Sequence, residues 1–321
     1  MRGPQGDTAR PMCLARMRSV STGVVFTDGE FVAPEAARMS IFDYGFTWGD
    51  CVYDVTSVWR GWFFKLDEHL DRFERSCAGF RLSNPYSRDE VEGILAECVE
   101  RAGLEDAYVK LEVTRGTTPN NSRDLRLATN RFTAYAIPYV WVWGEEQCRD
   151  GVNLHLCRRF ERISSRAVDQ RLKNYNRADL VQGRLDAYEA GCDDAVLVAP
   201  DGSLSEGFGW NILLIQDGTV ATPDWNVLEG CTREAVQEIC ADEQIPFELR
   251  RVDPGELEAA GEVFATTTAG GVMPVIAIDS RPVANGRPGP ITRLLQQQYW
   301  GRRAEGWHGT RVAELSSRDR T

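Results

Sequence analysis

The segment EVFATTTAGGVMPV, from Glu262 to Val275, begins as an apolar strand and then carries three threonines and two glycines. Small residues allow backbone N–H groups to approach a ligand closely, and hydroxyl groups add further hydrogen-bond donors. This combination at the end of a strand favours an anion site, most often one for phosphate. A glycine-containing turn between two core strands explains the segment equally well when it is taken alone.

A second candidate anion ligand is Arg72, in the predicted helix LDEHLDRFERS (66–76). Helical spacing places Arg72 on one face with His69 and Ser76, away from the apolar positions. An arginine placed in this way can bind a carboxylate or a phosphate through two parallel hydrogen bonds. A surface arginine is the simpler alternative.

A third candidate is the predicted helix start in VLEGCTREAV (227–236), where Gly230 precedes Thr232. We expect Thr232 to be the N-cap of this helix. The free N–H groups and the dipole of a helix N-terminus attract anions. Most helix starts bind no ligand, so this segment is informative only together with the others.

Lysine is rare in this chain, which contains only Lys65, Lys110 and Lys173. Unlike arginine, a desolvated lysine loses its proton and can form a Schiff base. Lys173 lies in DQRLKNYNRADL, where the chain approaches a predicted helix near 177–190. Glu206 lies among small residues before an apolar strand, where it could pair with a buried positive group such as a protonated ring nitrogen. A solvent-exposed side chain is the simpler alternative for both residues.

The elements that position these residues indicate mixed α and β structure. The segment 87–103 reads as a helix with a capping box at Ser87 and Glu90 and with a glycine at its end. Strands are predicted over 107–114 and 131–143, and again near 194–199, 210–215 and 219–222. A helix is expected after Thr232, and another near 290–300.

We expect two α/β domains. The sequence predicts a loose N-terminal arm over residues 1–19, a small domain over 20–143, a linker over 144–150 and a large domain over 151–321. The polar stretch GEEQCRDG suggests the linker.

Composition narrows the class of protein. The 321 residues are 42% hydrophobic and 26% charged, as in ordinary soluble globular proteins, and the net charge is −11. This acidity argues against nucleic acid as a partner, and the apolar runs are too short for a membrane span. Nine cysteines without a C-x-x-C pair, and only three histidines, argue against a disulfide framework or a metal site and favour a reducing cytoplasm.

Taken in order, the candidate residues resemble the motifs of the fold-type IV pyridoxal-phosphate enzymes. The matches follow the order and spacing of the family motifs over about residues 22 to 300. They are Arg72, Lys173, Glu206, the segment 230–232 and the threonine turn 266–268. The resemblance implies a smaller N-terminal α/β domain, a larger C-terminal α/β pseudo-barrel and a homodimer that binds pyridoxal 5′-phosphate between its domains. It also implies that the threonine-glycine segment 262–275 is part of the phosphate-binding site.

The resemblance also implies a role for each matched residue. Lys173 would be the Schiff-base lysine, and it would move a proton between the substrate Cα and the cofactor. Glu206 would face the pyridine nitrogen and keep it protonated. The phosphate and the ring face would be contacted by a larger set of residues: Arg72, Leu228, Cys231, Thr232, Thr267 and Thr268.

Within this family, the segments VYDVTSVWRGWFFKLDEHLDRF and TTTAGGVMPV are most similar to those of (R)-selective amine transaminases. Trp48-Gly49 before Asp50 is closer to D-amino-acid aminotransferases. Branched-chain enzymes place a tyrosine five residues after the lysine, where this chain has Ala178. The expected substrate pocket consists of Tyr53, Val55, Trp48, Arg123, Arg126, Ala269 and Gly270.

The resemblance therefore predicts a transaminase that moves an amino group from an (R)-amine or D-amino acid to a 2-keto acid by a ping-pong mechanism. Arg123 or Arg126 would bind the carboxylate of the keto acid. Two alternatives on the same fold are an L-branched-chain aminotransferase and an aminodeoxychorismate-type lyase. A non-catalytic relative is less favoured, because Lys173 and Glu206 are both present.

Overall fold

The computed structural model describes residues 22–316, so the predicted arm over residues 1–19 lies outside the described residues. The strands of this part are β1 (Val24–Thr27), β2 (Glu30–Val32), β3 (Cys51–Trp59), β4 (Trp62–Phe64), β5 (Ala107–Thr117), β6 (Thr129–Pro138), β7 (Val152–Glu161), β8 (Asp194–Val198), β9 (Leu204–Gly207), β10 (Trp210–Gln216), β11 (Thr219–Pro223), β12 (Phe247–Arg250), β13 (Glu262–Thr267), β14 (Gly271–Ile278), β15 (Arg281–Pro282) and β16 (Gly309–Arg311).

The helices of this part are α1 (Tyr44–Trp48), α2 (Leu66–Phe80), α3 (Arg88–Ala102), α4 (Glu145–Asp150), α5 (Ala178–Glu189), α6 (Cys231–Asp242), α7 (Pro254–Ala259), α8 (Pro290–Ala304) and α9 (Val312–Ser316). Three single 3₁₀ turns lie at Pro34–Ala36, Pro119–Asn121 and Leu125–Leu127. The expected helix over 87–103 is confirmed, since Ser87 and Glu90 form a capping box and Gly103 ends α3 in the left-handed conformation.

The first sheet is antiparallel, with the order β16-β4-β3-β5-β6-β1-β2. Helices α2 and α3 cover one face of it with residues such as Phe73 and Leu95. Because side chains alternate across a strand, β3 and β5 turn Val52 and Leu111 toward this core and Tyr53 toward the opposite face. The opposite face of the first sheet is thus available to form one wall of a cavity.

The second sheet closes on itself. The strands β10, β13, β14, β7, β8 and β9 pair in sequence, and β9 returns to pair with the start of β10. The pairs β14–β7 and β7–β8 are parallel, whereas the others in this ring are antiparallel. Apolar residues such as Leu154 and Ile212 fill the interior. This closed sheet is the expected pseudo-barrel, and helices α5, α6 and α8 pack against its outside.

Two features of the domain organisation differ from the expectation. The segment 144–150 joins β6 of the first sheet to β7 of the second, but it forms the helix α4, which buries Cys148 against β14, rather than a polar loop. The chain also returns after α8, so that β16 pairs with β4 and α9 packs on α3 in the first sheet's layer. The expected strand over 131–143 ends earlier, at Pro138, which has no N–H to continue a ladder.

The two sheets meet along β3. The backbone N–H of Tyr53 donates to the carbonyl of Lys173 at 3.1 Å, and Val52 forms an isolated bridge with Asn174. The segment between β7 and α5 is therefore attached to the first sheet, although the strands on either side of it belong to the second.

Within residues 22–316, every helix is too short or too polar to cross a bilayer.

Candidate active site

Lys173 lies where the two sheets meet, on the loop between β7 and α5. Its backbone N–H donates to Ser76 Oγ at 2.9 Å, and Ser76 donates in turn to the carbonyl of Arg72 at 2.7 Å. The side chain extends into a cavity, with Nζ 4.9 Å from the ring centre of Tyr53. Helix α2 therefore holds the lysine backbone in place, and the side-chain amine is left exposed to the cavity.

The environment of Lys173 favours a neutral amine. Burial lowers the pKa of Lys173, and the positive charge of Arg72 lowers it further, from 10.5 to about 7. The partly compensating charges of Asp54 and Glu206 do not reverse this shift. A substantial fraction of the amine is consequently nucleophilic at neutral pH.

Glu206 faces the same cavity from β9 and is held by two hydrogen bonds. Its Oε1 accepts from Arg162 Nε at 3.1 Å, and its Oε2 accepts from the backbone N–H of Leu228 at 2.9 Å. Arg162 is also paired with Asp179 at 2.7 Å. Glu206 is only 5% exposed, so its orientation is set by these partners. Leu228 lines the cavity beside it.

Arg72 is buried at one end of the cavity and is oriented by Asp54. Its Nε and Nη2 donate to the two oxygens of Asp54, each at 2.8 Å, and its Nη1 donates to the carbonyl of Glu229 at 2.9 Å. His69 Nδ1 lies 2.7 Å from the same carboxylate. Burial opposes the charge on His69, but Cys231 and Asp54 more than offset it and raise the pKa of His69 to about 9. Arg72 and His69 therefore share the Asp54 carboxylate at this end of the cavity.

The N-terminus of α6 opens into the cavity beside Arg72. Gly230 is its N-cap residue and Thr232 is the second residue of the helix, so the expectation that Thr232 is the N-cap is wrong. A Cβ on Gly230 would lie 2.2 Å from Asn211 Oδ1, which explains the glycine. Burial raises the pKa of the Cys231 thiol, but Arg72 and His69 outweigh this and lower it below its ordinary value. Cys231 and Thr232 both line the cavity.

The threonine turn between β13 and β14 lines the same cavity as Arg72 and the α6 N-terminus. Thr266 is 2% exposed, and its hydroxyl has no hydrogen-bond partner within the described residues. Thr267 donates to the carbonyl of Gly209 at 2.7 Å, and Thr268 accepts at its carbonyl from Tyr139. An unpartnered hydroxyl facing a cavity is costly unless a ligand completes it.

A second chamber continues from Lys173 toward the first sheet. Tyr53 and Val55 form one wall, and Ala269 with the threonine turn forms another. The remaining wall holds Arg177, whose guanidinium lies between the rings of Tyr53 and Phe208. This chamber is the candidate substrate pocket.

Four residues expected in the substrate pocket line neither chamber in the described chain. Trp48 is 53% exposed and packs on Tyr44. Arg123 is exposed on its loop, and Arg126 is paired with Asp124 at 2.6 Å. Gly270 is buried against Met273, where a Cβ would lie 2.3 Å from the sulfur. The motif matches in the sequence do not show that these four residues line neither chamber.

Three residues of the site were missed by the sequence interpretation. Asp54 orients Arg72, Arg162 orients Glu206, and Arg177 lines the substrate pocket. Asp54 carried a usable signal, because a single carboxylate interrupts the apolar strand CVYDVTSVW. Arg162 and Arg177 depend on contacts between distant segments, so nothing in their local sequence distinguishes them.

Possible metal ligands occur away from this cavity, around His155. Its two ring nitrogens lie 2.6 Å from Asp279 and 3.3 Å from Asp186, with Cys157 and Cys192 nearby. Both nitrogens already have carboxylate partners, so the arrangement is accounted for as an ion-pair network.

Comparison with known proteins identifies the family. Residues 51–278 match the class IV amino-transferase family, and the chain belongs to it. It is 30% identical to a D-alanine aminotransferase of Bacillus licheniformis, over 85% of this chain and 94% of that protein. It is 28% identical to a branched-chain-amino-acid aminotransferase of Pseudomonas aeruginosa, over 87% of this chain and 92% of that protein.

Among solved structures, the branched-chain aminotransferase of the thermophilic archaeon Thermoproteus uzoniensis, determined with norvaline, superposes with a TM-score of 0.82. The two are 27% identical, and the match covers 90% of this chain and 99% of the other. The fold expected from the sequence is thereby confirmed, as is the assignment to the fold-type IV aminotransferases.

Class IV aminotransferases use pyridoxal 5′-phosphate, and the residues of the cavity fit this cofactor. Arg72, the α6 N-terminus and the unpartnered Thr266 hydroxyl converge at one end, as a phosphate requires. Lys173 and Glu206 line the same chamber. The ring would lie against Leu228.

The pairing of Arg72 with Asp54 predicts that Arg72 stabilises the fold as well as the site. Arg72→Ala leaves Asp54 buried with His69 as its remaining cationic partner, and breaking such a pair costs about 3–5 kcal/mol. We expect a loss of this size in the free energy of unfolding of the cofactor-free protein, measured by urea denaturation. Arg75→Ala is the control, because Arg75 is exposed on the same helix and its ion pair with Glu229 is long, at 4.0 Å. Its effect should stay within about 0.5 kcal/mol, and equal losses in both variants would contradict the prediction.

Proposed function

We propose that this aminotransferase transfers an amino group from an (R)-amine or a D-amino acid to a 2-keto acid by a ping-pong mechanism. The observation that carries the proposal is the position of the two segments that resemble (R)-selective enzymes. Tyr53 and Val55 come from the first segment, and Thr267 to Ala269 come from the second. Both segments line the chamber beside Lys173, where the proposed reaction places the substrate.

We propose that Lys173 binds the cofactor covalently and acts as general base and acid. When bound, pyridoxal 5′-phosphate supplies an electron-withdrawing ring that stabilises negative charge at the substrate carbon. Once the substrate amine has released Lys173, its free neutral amine removes the proton from the substrate Cα. Its depressed pKa suits this step, because a base is most effective when its pKa lies near the working pH.

We propose that Glu206 provides the fixed negative charge opposite the ring nitrogen. Arg162 and the Leu228 N–H hold its two oxygens, so the carboxylate needs no reorganisation when charge develops. At the other end of the cavity, Arg72, Cys231, Thr232, Thr267 and Thr268 are the proposed phosphate contacts.

Handedness follows from the single face that Lys173 can reach. The Cα–H bond must point at the lysine amine, so the configuration depends on which wall accepts the larger substituent. Ala178 lies at the start of α5 and lines neither chamber, so it presents no bulky group in the place where branched-chain enzymes carry a tyrosine.

An L-branched-chain aminotransferase is the alternative. It is favoured by the relative and the structure of that name, which match this chain about as well as the D-alanine aminotransferase does. Fold and cofactor are shared by both activities, so the substrate walls must discriminate between them.

We further propose a homodimer. Ile41, Phe42, Phe46 and Trp48 lie close together in the chain around α1 and are each more than half exposed. Such an apolar surface is characteristic of a protein interface. In a dimer it would be covered, and Trp48 would become part of a partner contact.

We also propose that the protein works in a reducing cytoplasm. Eight cysteines lie in the described range, and all of them are free and buried. Free thiols in this number are typical of an intracellular setting.

The depressed pKa of Lys173 predicts how cofactor loading depends on pH. The coupling rate of pyridoxal 5′-phosphate to cofactor-free protein should rise between roughly pH 6 and 8 and then level off, because the amine is neutral above its pKa. Butylamine measured in parallel corrects for the ionisation of the cofactor itself. After borohydride reduction, peptide mapping should find the cofactor on Lys173. A rate that rises to pH 10, or label on Lys65 or Lys110, would refute the assignment.

Glu206→Gln tests the charge opposite the ring nitrogen. The variant keeps the shape but removes the charge, and we expect kcat to fall roughly a hundredfold or more at saturating cofactor. Asp179→Asn is the matched control, because Asp179 is the other carboxylate bound to Arg162. It should lower kcat much less. Similar losses in both variants would show that Glu206 acts only through Arg162.

The stereochemical proposal is tested with both enantiomers of 1-phenylethylamine and of alanine, with pyruvate or 2-oxoglutarate as acceptor. We expect the (R)-amine or the D-amino acid to react faster in each pair. A clear preference for the (S)-amine or for L-alanine would reject the proposal and support the branched-chain alternative.

A further inference from the structure

Arg177 lies at the start of α5, four residues after Lys173, and its guanidinium is partly buried in the substrate pocket. Its Cζ is 5.0 Å from the ring centre of Tyr53 and 5.0 Å from that of Phe208. Lys173 Nζ lies 4.9 Å from the same Tyr53 ring. The arginine and the reacting lysine therefore flank one aromatic side chain.

Arg177 differs from the other cations near this cavity in its partners. Arg72 is paired with Asp54, Arg162 with Glu206, and Arg184 with Asp194 at 3.2 Å. Within residues 22–316, the Arg177 side chain forms no hydrogen bond or ion pair, and its guanidinium lies beside the rings of Tyr53 and Phe208. Ring contacts do not satisfy its five N–H donors.

The charge of the substrate pocket also favours a negatively charged ligand. The described residues that line it include Lys173, Arg177 and Arg184 but no aspartate or glutamate. A partly buried guanidinium without a counter-ion is costly, and a bound carboxylate would offset this cost. The rest of the wall is largely apolar, with Val55, Val142 and Phe208 among its residues.

We propose that Arg177 binds the carboxylate of the substrate, so that the enzyme takes amino acids and keto acids with small apolar side chains in preference to simple amines. This inference rests on the proposed transaminase function and narrows its substrate class. It assigns to Arg177 the role that the sequence suggested for Arg123 or Arg126. A carboxylate held there lies beside the Cα that must face Lys173, so the same contact orients the reacting carbon.

The test compares D-alanine with D-alaninamide in the first half-reaction of the cofactor-loaded enzyme. The two donors have the same configuration and nearly the same shape, but the amide lacks the negative charge. The measured quantity is the ratio of their kcat/KM values, followed by the change in cofactor absorbance. We expect the parent enzyme to favour D-alanine strongly.

Arg177→Met should reduce this ratio by roughly tenfold or more, the scale of one charge-assisted contact. The loss should fall on D-alanine, whereas D-alaninamide should change little. Arg177→Lys should restore part of the ratio, because it returns the charge without the planar fork. Retention of cofactor absorbance in each variant shows that the site is still assembled.

Two further variants provide the comparison. Arg171→Met removes an exposed positive charge two residues before Lys173, where Arg171 is paired with Asp169, and should leave the ratio at the parent value. Arg123→Met tests the rival arginine and should also leave it unchanged. An unchanged ratio in Arg177→Met, or a collapse in Arg123→Met, would overturn the inference.

The handedness of the enzyme does not affect this test. If the parent enzyme prefers L-alanine, the same ratio is measured with L-alanine and L-alaninamide. A preference for L-amino acids would reject the proposed stereochemistry, whereas a ratio that is insensitive to Arg177 would reject the carboxylate role.

Discussion

The site depends on the attachment of the Lys173 loop to the first sheet and to helix α2. Two hydrogen bonds of the Lys173 backbone achieve this: its carbonyl accepts from the Tyr53 N–H, and its N–H donates to the Ser76 hydroxyl. Through Ser76, the loop is also linked to the turn of α2 that carries Arg72. A single network of short contacts therefore sets the distance between the reactive amine and the anion-binding end of the cavity.

The pattern of charge pairing explains how several ionisable groups can share this cavity. Asp54 pairs with both Arg72 and His69, and Arg162 fixes Glu206 without isolating it from the cavity. Lys173 avoids the cost of a buried charge by losing its proton readily. Arg177 is the exception among these groups within residues 22–316, since a substrate must supply its counter-ion.

Local signals in the sequence predicted the elements that carry those signals. The capping box at Ser87 and the glycine-threonine segments correspond to observed helices and hairpins. The main cavity residues could be assigned because their motifs recur in a known family. Their physical pairing could not, because Asp54 and Arg72 or Arg162 and Glu206 meet only after the chain has folded.

The differences from the sequence interpretation have local causes. The helix in the segment 144–150 was not predicted because its single apolar anchor, Cys148, is surrounded by polar residues. β16 has no apolar run, so its pairing with β4 gives no signal in the sequence. Arg177 resembles any polar residue before a helix, and its position beside Tyr53 follows from the attachment of the loop to β3.

The most direct test of the account is a crystal structure of the protein with pyridoxal 5′-phosphate bound. We expect the phosphate within hydrogen-bonding distance of Arg72 and of the α6 N-terminus at Gly230 to Thr232. The ring nitrogen should face Glu206, and Lys173 should be joined to the cofactor. A phosphate bound elsewhere, or a ring nitrogen directed away from Glu206, would contradict the proposed site.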